Sequence, residues 1–188
     1  MSMKNNQKGV GMMEVLVALV ILAVGILGFT ALQLRAVDAT DEAMLKIEAM
    51  NLSRDLAERI RANRSGFSTY VSNLTAATQS KTANPECIYK PATTASPCTT
   101  VVQMANYDTA QVVARADGLG MAINLPTCQV AKTLDSDGKE TTTDIQSRHC
   151  VYIAWGETKP INSSTDAKAC TDGGSYLPQA KCVVMELY

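Results

Sequence analysis

Residues 8–36 read KGVGMMEVLVALVILAVGILGFTALQLRA, and the fold follows from how this stretch is parsed. From Val15 to Leu32 it runs for 18 residues without a charge. As a helix those residues rise about 27 Å, close to the hydrocarbon thickness of a bilayer. Glu14 stands alone at the start of the run, a few residues after Lys8-Gly9-Val10. A carboxylate inside the bilayer costs about 2.5–3.5 kcal/mol on insertion scales, so an intramembrane Glu asks for a partner. At the interface the same side chain snorkels at little cost. Position alone leaves both readings open.

The residues ahead of the run separate them. Met1–Gly9 (MSMKNNQKG) is short and polar, with Lys4 and Lys8 as its only charges. A secretory signal peptide places its small-residue cleavage site after the apolar region, and no A-x-A pattern lies there. The junction KG/VGMMEVLVALVILAVGILGF instead resembles the prepilin leader of type IV pilins and of type II secretion pseudopilins. In that family a membrane peptidase cuts after the Gly, the new N-terminus is methylated, and a Glu stands fifth in the mature chain. Cutting between Gly9 and Val10 makes Glu14 that residue. The family commonly has Phe or Met first and Thr or Ser second, where this chain has Val10 and Gly11. The resemblance implies that apolar helices leave the bilayer and pack as a filament core. There the carboxylate of Glu14 would meet the N-terminal amine on Val10 of an adjacent subunit, because a buried charge needs an opposite one.

The chain has 188 residues, with 17 basic and 18 acidic side chains and a net charge of −1. No basic footprint marks nucleic acid as a direct partner. Arg54, Arg59, Arg61 and Arg64 cluster with Asp55 and Glu58, which reads as a solvated helix face with intrahelical pairs. Contact with DNA or a partner subunit is the alternative. All six cysteines, Cys87, Cys98, Cys128, Cys150, Cys170 and Cys182, lie beyond the apolar segment. An even set on one side reads as disulfides in an oxidising compartment. Cys87 and Cys98 bracket a polar, proline-containing loop, Cys170 and Cys182 bracket a flexible Thr171–Gly174, and Cys128 and Cys150 flank a hairpin. That spacing favours three local bridges, while 128–170 with 150–182 also fits a three-stranded sheet.

Past the membrane segment, Leu45, Ala49, Leu52, Leu56 and Ile60 keep a three-four spacing, so one helix is expected from Met12 to about Asn63. Ser65-Gly66 reads as its C-cap. Phe67–Val101 has loop composition. Tyr107–Leu125 reads as helical, stopping at Pro126. Thr127–Leu134, Gln146–Trp155 and Lys181–Tyr188 read as strands, the first two joined across Asp135-Ser-Asp-Gly138 as a hairpin and the last paired inside a sheet. The class is α+β, a long helix packed on a small antiparallel sheet. The expected division is a leader at 1–9, a helix at 10–64 with its transmembrane part at about 15–34, and a globular domain at 65–188.

Neither metal nor catalysis is signalled. The cysteine spacings lack C-x₂-C pairs, the single His149 adjoins Cys150, and Asp135, Asp137 and Glu140 fail the EF-hand spacing. No G-x-S-x-G or H-E-x-x-H occurs, so no catalytic residue and no cofactor is expected. Trp155 reads as a core or sheet-edge anchor.

Three further stretches narrow the resemblance: AMNLSRDLAERIRANR (Ala49–Arg64), CVYIAWGE (Cys150–Glu157) and the terminal VVMELY. With Gly11–Ala36 and INLP (Ile123–Pro126) they resemble the PilV-type minor pilins. The resemblance implies a low-copy subunit of the priming or tip complex that starts a type IV pilus. Its partners would be other minor pilins, the major pilin, the inner-membrane assembly platform, prepilin peptidase and a tip adhesin. Lys4 and Lys8 would keep the N-terminus cytoplasmic, sending the C-terminal domain to the periplasm before assembly and into the pilus afterwards. A minor pseudopilin of a type II secretion system and a membrane-anchored periplasmic binding module are the alternatives.

Overall fold

A computed structural model describes residues 11–82, 87, 98–128, 133–134, 137, 140–141 and 148–187. Helix α1 spans Met12–Ala62, close to the expected limits. The chain divides into two compact units, Met1–Leu45 and Lys46–Tyr188. In the first, every described position up to Met44 is exposed. In the second, α1 buries Ala49, Leu52, Ser53, Leu56, Ala57 and Ile60, the stripe that three-four spacing demands. The buried Ser53 hydroxyl is satisfied by donating to the Ala49 carbonyl at 2.8 Å.

Gly66 is not the C-cap of α1. The helix ends at Ala62, a 3₁₀ turn covers Arg64–Gly66, and Gly66 has φ −88° and ψ 5°, outside the left-handed region. Its glycine is required for space. A Cβ there would lie 2.7 Å from Asn63 Nδ2 and 2.9 Å from the Val101 carbonyl oxygen. The expected loop then starts with a helix, α2 (Phe67–Thr75), which buries Tyr70 and Leu74. Ser, Thr and Asn are weak helix formers, but packing of the apolar face overrides them.

Helix α3 spans Val101–Gly118 and begins earlier than Tyr107, because Thr100 and Gln103 form a capping box. It also stops earlier than Pro126. Leu119 N–H turns back to the Arg115 and Ala116 carbonyls, Gly120 takes φ 68°, and Met121–Asn124 becomes strand β1. Only glycine adopts that left-handed C′ position without strain.

The main sheet has the order β1–β4–β8, with β4 at Cys150–Trp155 and β8 at Cys182–Glu186, antiparallel throughout. Thr127–Leu134 does not join it as a strand. That stretch supplies a bridge from Thr127 to His149 and the short β2 (Thr133–Leu134), which pairs with β3 (Glu140–Thr141). These pairings flank the expected Asp-Gly turn, of which Asp135, Ser136 and Gly138 lie outside the described residues. All six residues of β4 are buried, so both of its alternating faces are covered.

A second sheet, absent from the sequence reading, is formed by β5 (Lys159–Asn162), β6 (Ala169–Asp172) and β7 (Ser175–Tyr176). Strands β5 and β6 are parallel, β6 and β7 antiparallel. Thr171–Gly174 is therefore not a flexible linker. Asp172 pairs with Ser175 across Gly173 and Gly174, whose φ values of 55° and 87° suit a two-residue hairpin turn. Tyr176 on β7 accepts from the Val184 backbone N–H through its hydroxyl at 3.0 Å, at the edge of β8.

The cysteines are joined as Cys87–Cys98, Cys128–Cys150 and Cys170–Cys182. Cys150, Tyr152 and Ala154 share one face of β4, and Cys170 and Cys182 pack with them in a single buried cluster. The alternative set, 128–170 with 150–182, is not formed.

Candidate assembly interface

Glu14 lies in the first turn of α1, where the helix dipole favours a carboxylate. Its backbone N–H donates to the Gly11 carbonyl at 2.9 Å. The side chain is exposed, and no described basic group pairs with it. Beyond it the helix presents apolar surface all round: Leu19, Leu22, Ile26 and Phe29 are between 54% and 62% exposed. Such a surface is unstable in water and needs lipid or protein against it. The helix is long and apolar enough to cross a membrane, with a window of mean hydropathy 2.9 and none of that window buried. Gly9 and Val10 lie outside the described residues.

Residues 4–30, which include Gly9, Val10 and Glu14, match the prokaryotic N-terminal methylation motif. Residues 31–110 match the family described as type IV pilin Tt1218. Over these two stretches the chain is similar to type IV pilins. The α+β fold, a long N-terminal helix followed by small sheets, agrees with that similarity. No curated protein and no solved structure matches the chain.

In the second unit the arginines are not a uniform solvated face. Arg61 pairs with Glu58 along the helix, as expected. Arg59 pairs with Asp55 at 3.0 Å but also reaches α3, donating to Asp108 Oδ1 at 2.7 Å and Gln111 Oε1 at 3.2 Å. Asp108 is only 6% exposed, and its other oxygen accepts from the Tyr70 hydroxyl at 2.5 Å. Three helices thus meet at one carboxylate. Burial works to lower the Arg59 pKa, but hydrogen bonds to Asp108 and Asp55 outweigh it, and the net shift is upward. Burial first, then the bond to Asp108, pushes the Tyr70 phenol well above its usual value. The sequence reading missed this network. Its signal was Asp108 standing among Ala105, Val112 and Val113 on the buried face of α3.

A second feature of this unit is a groove lined by Ala57, Ile60, Phe67 and Leu187, with Arg61 and Arg64 beside them. Among the described residues no cluster of three or more His, Cys, Asp or Glu offers a metal site. Trp155 is a core residue on the central strand, 6% exposed.

Proposed function

We propose that this chain is a type IV pilin, a minor subunit of the PilV type, acting in the complex that primes assembly and remains at the tip. The observation that carries the reading is the charge-free, exposed run Val15–Leu32 of α1, with Glu14 as the one carboxylate at its start. Before assembly the helix anchors the chain once in the inner membrane, with Lys46–Tyr188 in the periplasm. Prepilin peptidase cuts between Gly9 and Val10 and frees the Val10 amine. Glu14 then pairs with that amine on the neighbouring subunit and sets its register, an ion pair worth forming because both charges are leaving water. The partners are the other minor pilins, the major pilin, the assembly platform and a tip adhesin, and motility, adhesion or DNA uptake would follow from the pilus.

Two measurements test this. Intact mass on membrane fractions, with and without the peptidase, should differ by the Met1–Gly9 leader. Glu14→Ala should leave membrane insertion intact, since it lowers the insertion cost, while removing the chain from sheared pili. A leader retained in piliated cells, or normal recovery of Glu14→Ala in pili, would defeat the proposal.

A further inference from the structure

The groove on the second unit has a volume of about 350 Å³. Ala57, Ile60 and Leu187 are buried and form its apolar lining. Phe67 is half-buried, its ring held edge-on to His149 with centroids 5.0 Å apart. The two guanidinium groups beside it differ in kind. Arg61 is engaged by Glu58 at 2.5 Å. Arg64 is exposed, and no carboxylate among the described residues pairs with it. An occupant suited to this groove offers apolar side chains on either side of a carboxylate.

The chain itself displays that pattern on α1. Val37, Asp41 and Met44 stand at i, i+4 and i+7, which places them on one stripe of a helix. Val37 is 57% and Met44 63% exposed, and Asp41 is exposed between them. We infer that the groove receives the corresponding stretch of a neighbouring pilin's N-terminal helix, an apolar–carboxylate–apolar stripe whose carboxylate meets Arg64. This inference rests on the pilus-subunit reading and names a contact surface for it, distinct from the Glu14 pair. Apolar burial supplies most of the attraction, and the ion pair selects partner and register.

The test uses the full chain in piliated cells, with Phe67→p-benzoylphenylalanine as a photoprobe at the mouth of the groove. The same probe at Ser65, exposed beside Arg64, covers disturbance of packing by the larger ring. Irradiated, sheared pili are digested and the cross-linked peptides sequenced by mass spectrometry. The expected product joins the probe to an apolar–carboxylate–apolar stretch of another pilin's N-terminal helix. Arg64→Glu should lower its yield about fivefold, and Arg64→Lys should restore most of it. Cross-links to lipid, to a non-pilin protein or to a pilin's globular domain overturn the inference, as does no cross-link or a yield indifferent to Arg64→Glu. If the chain is missing from sheared pili, the pilus-subunit reading falls as well. If it is present without the product, only the groove inference falls.

Discussion

Removing the Asp108 carboxylate should be among the most damaging changes available in the second unit. Asp108 is 6% exposed and accepts from Arg59 at 2.7 Å and from Tyr70 at 2.5 Å. Asp108→Ala strands both donors. Losing a hydrogen bond to a charged group costs about 1.5–3 kcal/mol, and an unsatisfied buried hydroxyl adds about 1 kcal/mol. Arg59 keeps Asp55 at 3.0 Å and a side chain 28% exposed, which holds the charge penalty well below that of a fully buried ion. The sum is about 3 kcal/mol. For a unit of this size that lowers Tm by about 10 °C. Asp108→Asn, which keeps the shape and one acceptor, should lose about half as much. The assay is thermal unfolding of the full chain in detergent micelles, followed by near-ultraviolet circular dichroism and Trp155 fluorescence, since far-ultraviolet signal is dominated by α1. Combined with Tyr70→Phe, the effects should be non-additive by about 1 kcal/mol. A Tm for Asp108→Ala within about 2 °C of the unaltered chain would show that the three helices are held by apolar packing alone.

Gly66→Ala should destabilise by about 2 kcal/mol in the same assay, because its Cβ would meet Asn63 Nδ2 at 2.7 Å and the Val101 oxygen at 2.9 Å. Peptide mapping without reduction should recover Cys87–Cys98, Cys128–Cys150 and Cys170–Cys182, and Cys170→Ser with Cys182→Ser should cost about 3 kcal/mol for a bridge separated by 12 residues. Free thiols on all six would contradict an oxidising compartment. Tyr70 makes alkali destabilising. Its folded phenol titrates above the ordinary 10.0, so the unfolded chain releases that proton first. Stability is therefore complete below about pH 10 and falls as pH rises through the folded value, and absorbance at 295 nm should show one tyrosine ionising late in the folded chain.

The first unit was readable because a charge-free run needs no tertiary context: Val15–Leu32 is apolar whatever it packs against. The buried stripe from Ala49 to Ile60 was readable for a similar reason, since helical periodicity survives in the sequence. The region after Ala62 was less so. Gly66 looks like a C-cap glycine by its position, yet its role is to let two backbone segments approach, which depends on Val101 far along the chain. Phe67, Tyr70 and Leu74 carried the spacing of a helix, masked by the Ser, Thr and Asn between them. Met121–Asn124 is too short a run to separate from the end of α3 without seeing its pairing to β4. Asp108, Tyr70 and Arg59 come from three separate helices, and no local pattern announces that they converge. Glu14 was legible as a lone carboxylate at the start of the apolar run, and the Gly9–Val10 junction lies outside the described residues.

The hydroxyl of Tyr176 occupies the Val184 N–H at the border of the main sheet. A strand border with open donors recruits strands from other copies, and a chain confined to a membrane meets its copies at far higher effective concentration than one free in solution. One side chain, delivered by a two-glycine turn, removes a donor that an incoming strand would use. Growth by strand addition is thereby discouraged at that border. Under the proposed pilus-subunit reading, copies crowded in a layer stay separate at this border until their helices are drawn together.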